Sequence, residues 1–211
     1  MVDVTGGAEN DRAHVPILPT MALEHEIKVP VPALDAVRVR LRGAGAILRR
    51  DATFEDNWVL DDHRRSIAAG GCLLRVRRWG EASHLTYKGP ARFAAGVKTR
   101  EELETSVGDP DVVLQVLAAL GFTPFRRYQK WRELWLLGGL AVTLDRTPLG
   151  DFVELEGPPE AIPGVAATLG LDPAAAVPGS YLALWEAYRA SHPDAPADMV
   201  FSQDPPLAAP E

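Results

Sequence analysis

Six separate stretches of this chain alternate charged with apolar residues, and that alternation narrows the possible folds more than any other feature. The first is Leu23-Glu24-His25-Glu26-Ile27-Lys28-Val29. Successive side chains of a β-strand point to opposite faces, so Glu24, Glu26 and Lys28 share one face. Arg75 and Arg77 alternate in the same way with Leu74 and Val76, and Thr86 and Lys88 with Leu85 and Tyr87. Arg100, Glu102 and Glu104 alternate around Leu103, Lys130 and Arg132 flank Trp131, and Glu154 and Glu156 alternate with Val153 and Leu155. One such strand is an ordinary solvated face of an antiparallel sheet. Six of them, carrying both signs and each backed by large apolar residues, imply charged faces turned to a common interior. The apolar faces then look outward and need helices to cover them.

The expected interior holds the acids Glu24, Glu26, Glu102, Glu104, Asp145, Glu154 and Glu156. Its bases are Lys28, Arg75, Arg77, Lys88, Arg100, Lys130 and Arg132. Seven of each leave no net charge, and a balanced, wet lumen avoids much of the cost of isolated buried ions. Carboxylates bind hard cations such as Mg²⁺ or Mn²⁺ through oxygen. Arginine forks and lysine point charges bind phosphate oxygens. Both sets around one space suit a polyanion with metal ions, the way nucleoside triphosphates are held. About eight strands enclose such a lumen. The fold class expected is therefore α+β: a closed, eight-stranded antiparallel barrel with a charged interior and helices packed outside.

Strands are expected near 22–29, 46–50, 54–61, 72–79, 83–89, 99–107, 126–137, 140–146 and 151–157. Helices are expected near 32–43, 110–120, 159–169 and 179–190. Leu34, Val37 and Leu41 give the first helix an apolar stripe that Gly43 ends. Val112, Val113, Val116, Leu117 and Leu120 do the same for the second, before Gly121. Gly138-Gly139 marks a two-residue hairpin turn. Residues 1–20 read as a flexible tail, 21–190 as one domain, and 191–211 as a Pro/Ala-rich tail whose Met199-Val200-Phe201 docks back on the body. Met21, just ahead of the first strand, is a second candidate translation start beside Met1.

The 211 residues, 46% hydrophobic, suffice for one packed core. The formal net charge of −7 argues against nucleic acid as a partner, which needs a basic surface. No apolar run approaches a membrane span, and the start lacks the basic and apolar regions of a secretion signal, so the expected location is cytoplasmic. The single cysteine, Cys72, excludes an internal disulfide and reads as a buried small residue. His25 and His84 are expected to point away from the charged faces. The five tryptophans are expected in the core or at its rim, and Arg49-Arg50, Arg64-Arg65 and Arg126-Arg127 at the surface.

These blocks resemble the CYTH superfamily, the triphosphate tunnel metalloenzymes. Glu24-His25-Glu26-Ile27-Lys28 is similar to its ExExK signature. Leu74 to Arg77, Leu85 to Pro90, Lys98 to Glu104, Tyr128 to Arg132, Asp145 to Gly157 and Ser180-Tyr181-Leu182 follow in order. The Thr-Tyr-Lys-Gly-Pro and Lys-Thr-Arg-Glu-Glu blocks look most similar to the bacterial class IV adenylyl cyclases. The resemblance implies an eight-stranded tunnel. It implies metal ligation by Glu24, Glu26, Glu154 and Glu156, with Glu102, Glu104 and Asp145 as further candidates. It implies triphosphate binding by Lys28, Arg75, Arg77, Lys88, Lys130 and Arg132, joined by Arg100 from the interior set, with Lys28 and Lys88 as the candidate catalytic lysines. Many relatives carry a Tyr-Phe-Asp segment where this chain has Glu55-Asp56-Asn57-Trp58-Val59-Leu60-Asp61, so a Tyr–Lys general-base pair is in doubt.

The activity implied is divalent-metal-dependent processing of a small-molecule triphosphate, foremost conversion of ATP to cyclic AMP and pyrophosphate. The alternatives are hydrolysis of tripolyphosphate, thiamine triphosphate or nucleoside triphosphates, and non-catalytic polyphosphate or nucleotide binding. Seven carboxylates in register exceed what simple anion binding needs. Dimerisation through an outer apolar strand face is left open and no motif supports it.

Overall fold

The computed structural model describes residues 24–94 and 97–202. The first 23 residues, Met21 among them, and residues 203–211 lie outside the described residues. The chain forms an antiparallel sheet of ten strands with five helices, an α+β fold. In chain order these are β1 (Glu24–Val31), α1 (Leu34–Gly43), β2 (Ile47–Asp61), α2 (Ser66–Ala69), β3 (Leu73–Trp79), β4 (Ala82–Lys88) and β5 (Arg92–Ala94). They continue as β6 (Val97–Arg100), β7 (Glu102–Ser106), α3 (Pro110–Ala119), β8 (Thr123–Leu137), β9 (Leu140–Thr147), β10 (Gly150–Glu156), α4 (Ile162–Thr168) and α5 (Tyr181–Ser191). The strand order is β5-β6-β1-β10-β9-β8-β2-β3-β4-β7.

Ten strands stand among the described residues where nine segments, forming an eight-stranded barrel, were expected, and the differences are local. The two segments 46–50 and 54–61 are one strand, β2, whose pairing with β8 shifts register between Leu48 and Arg50 and again between Arg50 and Thr53. A bulge of this kind bends a strand without ending it. The expected strand 99–107 is β6 and β7, parted only by Glu101. β6 pairs with β1 and β7 with β4, so this one stretch of chain touches strands near both ends of the order. β5 and the single-turn α2 were not expected.

Local chemistry sets the other boundaries. Pro32 holds Val31 extended, so β1 runs on and α1 starts late, at Leu34. Asp109 caps α3, its carboxylate accepting from the backbone N–H of Asp111 and Val112, with Pro110 as the first helical residue. Gly138 and Gly139 have φ of 58° and 81°, the left-handed pair that a tight β8–β9 hairpin requires. Ser180 caps α5 through Oγ to the Ala183 N–H.

The main hydrophobic core lies on one face of the sheet, under helices. Ile27 and Val29 of β1, Val142 and Leu144 of β9, and Val153 and Leu155 of β10 pack with Leu34, Val37 and Leu41 of α1 and with Ile162, Val165 and Ala166 of α4. Every one of these strand residues alternates with a charged or polar residue that faces the other way. The cover is incomplete elsewhere. Leu103 on β7 is 54% exposed, and Val112, Val116 and Leu120 of α3 stand in solvent. The expected apolar stripe of α3 is therefore no more than half-buried, along its Val113 and Leu117 side.

A second apolar cluster forms on the charged face. Val59, Tyr128 and Phe152 pack there against Tyr181 and Trp185 of α5 and against Met199. The segment after α5 docks on β8: Met199 accepts from Gln129 N–H, donates to Arg127 O and is fully buried. Cys72 departs from expectation. It is half-buried, with its sulfur 3.2 Å from the Tyr87 hydroxyl, because it precedes β3 in the turn after α2. Among the described residues no helix is long and apolar enough to cross a membrane.

Candidate functional site

The side chains of the charged face meet in a continuous lattice of ion pairs. Lys28 lies 3.0 Å from Glu154 and 3.8 Å from Glu26. Lys130 reaches Asp145 at 3.1 Å and Glu55 at 3.6 Å. Arg132 donates to both Asp145 and Glu154. Arg77 bonds Glu104 at 2.8 Å, and Arg75 donates to the Tyr128 hydroxyl at 2.9 Å and lies 3.5 Å from Glu104. Lys88 of β4 holds Glu24 of β1 at 2.9 Å and Glu102 at 2.9 Å. The Lys88–Glu24 contact joins strands far apart in the sheet order.

Burial raises the stakes of each pair, since charge out of water is tolerated only with partners. Burial alone would push the Glu24 carboxyl up, but Lys88 overrides it and holds the group below its ordinary value. Burial likewise opposes charge on Lys28, and Glu154 and Glu26 reverse it, so its ammonium is held above the usual lysine range. Lys88 is raised for the same reason, by Glu24 and Glu102 against burial. Both lysines are therefore held protonated at neutral pH.

One corner differs. Glu156 is reached by solvent, yet the atoms packed round its carboxyl, and then Glu24, push it up to about 8, with Glu26 and Glu102 adding to the push and Lys88 opposing it. Water at the residue softens this crowding without reversing it.

The lattice includes residues that the alternation pattern passed over. Glu55 of β2 is fully buried and sits among Lys130, Arg77 and Arg132, with Oε1 accepting from Asn57 Nδ2. Lys98 bonds Glu26 at 2.7 Å. Thr86, which the alternation did place on this face, donates to Glu104. Two tyrosines also enter. Tyr128 comes from β8, and Tyr181, at the start of α5, donates to Asp145 at 2.7 Å with its ring 4.1 Å from Lys28 Nζ. Burial and Asp145 push the Tyr181 hydroxyl well above the ordinary tyrosine value, so it keeps its proton. The signal for Glu55 and Lys98 was present: Glu55 alternates with Asn57, and Lys98 with Arg100. No sequence period marks Tyr181, which arrives from a helix.

Arg100 reaches the same region but donates to the Gly89 and Lys88 carbonyls. His84 corrects an expectation. It lies on the charged face, because residues 84, 86 and 88 of one strand share a face. His25 points away, and its ring bonds Thr99 Oγ1. Of the paired arginines, Arg50 stacks on Trp79 and Arg65 on Phe125, each at 4.1 Å.

The family model for the CYTH domain matches residues 22–167. The chain belongs to the CYTH family. A protein of Methanocaldococcus jannaschii named "Putative adenylate cyclase" is 31% identical over 138 residues, 64% of this chain and 76% of the relative. Among solved structures, a "putative adenylate cyclase" from Vibrio parahaemolyticus superposes with a TM-score of 0.68 at 20% identity, covering 78% of this chain and 98% of that one. A Hippeastrum protein, whose title names it a putative adenylyl cyclase with a dominant triphosphatase activity, superposes with a TM-score of 0.61 at 18% identity, covering 78% and 96%.

CYTH tunnels use divalent metals, and the donor chemistry here fits one. Glu24, Glu26, Glu102 and Glu156 offer hard oxygen donors, and Glu156 has no ion pair among the described residues. Among the described residues no three acidic groups converge at metal-binding distance; the carboxylates are turned to lysines and arginines instead.

Proposed function

We propose that this CYTH chain is a divalent-metal-dependent enzyme that processes a triphosphate, of the class IV adenylyl cyclase type. The observation that carries the reading is the burial of the charged lattice. Lys28, Arg75, Arg77, Lys130, Asp145 and Glu154 are all buried, and Lys88 spans to Glu24 from the far side of the sheet. Contiguous β6 and β7 pair at both ends of the strand order, which supports a sheet rolled into a closed tunnel with this lattice inside. Counting β6 and β7 as one and leaving out the short β5, eight strands form the ring.

In this reading Lys28, Arg75, Lys130 and Arg132 exchange carboxylate partners for phosphate oxygens, with Arg77 and Lys88 beside them. They stabilise the charge that grows on non-bridging and leaving oxygens. Glu24, Glu26 and Glu156 would hold Mg²⁺ or Mn²⁺, with Glu102 and Glu154 beside them and Glu104 and Asp145 as further candidates. Metal bound there supplies charge neutralisation of the triphosphate. Arg100, spent on main-chain carbonyls, positions the β4–β6 junction. In the cyclase reaction the ribose 3′-oxygen bonds the α-phosphorus while the bond to the β-phosphate oxygen breaks, and the hydroxyl proton leaves to solvent. Tyr181 does not take it, since its own proton is held firmly.

Hydrolysis by water of the same bound triphosphate is the second reading, favoured by the activity in the Hippeastrum protein's title. Separate incubations with ATP, tripolyphosphate and thiamine triphosphate, with Mg²⁺ or Mn²⁺, test both. Cyclic AMP with equal pyrophosphate on ion chromatography supports the cyclase, and orthophosphate alone supports hydrolysis. Binding without turnover at any divalent metal would overturn an enzymatic role.

A further inference from the structure

The unspent hydrogen-bonding capacity of the interior lies on one wall. Seven buried side-chain polar atoms have no hydrogen-bond partner among the described residues. Six of them are Glu55 Oε2, Asn57 Oδ1, Arg75 Nε, Arg77 Nε, Trp79 Nε1 and His84 Nδ1. They come from β2, β3 and β4, three neighbouring strands. The registers place Asn57 opposite Arg77, and Arg77 opposite His84. Residues 55 and 57, 75 to 79 in alternation, and 84 all lie on the charged face.

The polarity of these atoms excludes one occupant as their sole partner. Phosphate oxygens only accept, so a bare polyphosphate satisfies the arginine and tryptophan N–H groups but never Asn57 Oδ1 or Glu55 Oε2. Glu55 Oε2 already has the Arg77 and Arg132 guanidinium groups 3.8 and 4.0 Å away, so the atom left needing a donor, such as a hydroxyl or an amine, is Asn57 Oδ1. His84 is about nine-tenths buried. It faces Arg77 and Ser106 across its two strand pairings, with Glu104, Arg75 and Arg50 close enough to act on it. Burial and Arg77 hold its ring below the ordinary histidine value, so at neutral pH it is uncharged and offers one donor and one acceptor. Beside it the Trp79 ring lies between the guanidinium groups of Arg50, at 4.1 Å, and Arg77, at 5.6 Å. At the α5 side of the same face, Tyr181, Phe152, Val59 and Met199 are apolar and packed shut. The unpartnered polar atoms therefore lie at the β2–β3–β4 wall and not beneath α5, where the Tyr181 hydroxyl is already spent on Asp145.

We propose that His84, with Asn57, forms a subsite for the hydroxyl- and amine-bearing end of the substrate, and so selects a nucleoside triphosphate over inorganic tripolyphosphate. This rests on the triphosphate reading above. His84 is a specificity-determining residue here: it contacts sugar or base, not the reacting phosphorus.

The test is isothermal titration of the full chain, with Mg²⁺, by two inert probes: ATP with methylene groups in place of both bridging oxygens of its triphosphate, and the same bis-methylene analogue of tripolyphosphate. One lost hydrogen bond predicts that His84→Leu weakens the nucleotide probe about tenfold. His84→Gln, which keeps a donor and an acceptor, restores it to within about twofold. Both variants bind the tripolyphosphate analogue like wild type, and the His84 ring ¹⁵N signals shift on adding the nucleotide probe only. Equal weakening for both probes, or none for the nucleotide, would overturn the subsite and leave the triphosphate reading standing; the unpartnered atoms would then be served by water. A wild type that binds only the inorganic analogue has the same meaning. Binding of neither probe would overturn the underlying reading itself.

Discussion

Two regions of the charged face use the same residue types to opposite ends. Around Glu55, Asp145 and Glu154, three buried carboxylates meet Lys28, Lys130 and Arg132, with Arg77 3.8 Å from Glu55. Around Glu156, the carboxylates of Glu24, Glu26 and Glu102 meet Lys88 and Lys98, with Lys28 3.8 Å from Glu26 and Arg75 3.9 Å from Glu102, while Glu156 itself has no ion pair among the described residues. The first region is a frame in which every carboxylate has a cation. The second keeps a surplus at one corner, the Glu156 carboxylate, and on the metal-dependent reading proposed above a divalent cation would supply the charge missing there.

The largest effect expected is on the frame. Glu55→Ala leaves Lys130, Arg132 and Arg77 short of a fully buried counter-charge, and removing one partner from such a set costs about 3 to 5 kcal/mol. Urea unfolding measures it, and a loss under about 1 kcal/mol would show that water already serves these groups. Next is the surplus corner. Glu156→Gln is expected to abolish turnover and weaken Mn²⁺ binding at least about tenfold, while stability stays within about 0.5 kcal/mol of wild type. Large destabilisation with unchanged Mn²⁺ titration would reverse the roles of the two regions.

Arg75→Ala probes the boundary between them. Its guanidinium is tied to Tyr128 and Thr86, with Glu104 nearby. A loss of roughly 100-fold in kcat/KM is expected, as for removal of one donor to developing charge. An unchanged efficiency would take Arg75 out of the site.

The pH dependence of stability sharpens the frame further. Burial would raise Glu55, but Lys130, Arg132 and Arg77 hold it well below its ordinary value. Its contribution is therefore present in full above the unfolded carboxylate value, near 4.3, and is lost as pH falls below that toward the folded value. Glu55→Gln should flatten the acid limb of a stability-versus-pH curve. An identical slope in both proteins would place the buried charge elsewhere. The smallest effect belongs to the outer face. Leu103→Lys should change stability by no more than about 0.5 kcal/mol, since the side chain already stands in solvent. A larger loss would mean that something covers that face.

Much of this was legible before any coordinates. Alternation at 24–28, 75–77, 86–88, 102–104, 130–132 and 154–156 placed those side chains on shared strand faces, because the period of a strand is a local property of its backbone. The same parity, applied through to residue 84, would have turned His84 inward, and applied to 55–57 and 98–100 would have added Glu55 and Lys98. Asp109-Pro110, Ser180 and Gly138-Gly139 marked their boundaries because caps and tight turns need particular side chains or positive φ. Cys72 was misjudged since neither period nor spacing reports how a turn is covered.

By itself, then, the sequence determined which residues share a face and where elements start and stop, since both follow from backbone geometry within a few residues. Only the tertiary structure decided which charges pair, which corner keeps a surplus, and that Tyr181 of α5 lies against Lys28 of β1. Those outcomes depend on residues brought together from distant parts of the chain, Lys88 and Glu24 across 64 positions and Lys28 and Tyr181 across more, and no local pattern encodes the distances between them.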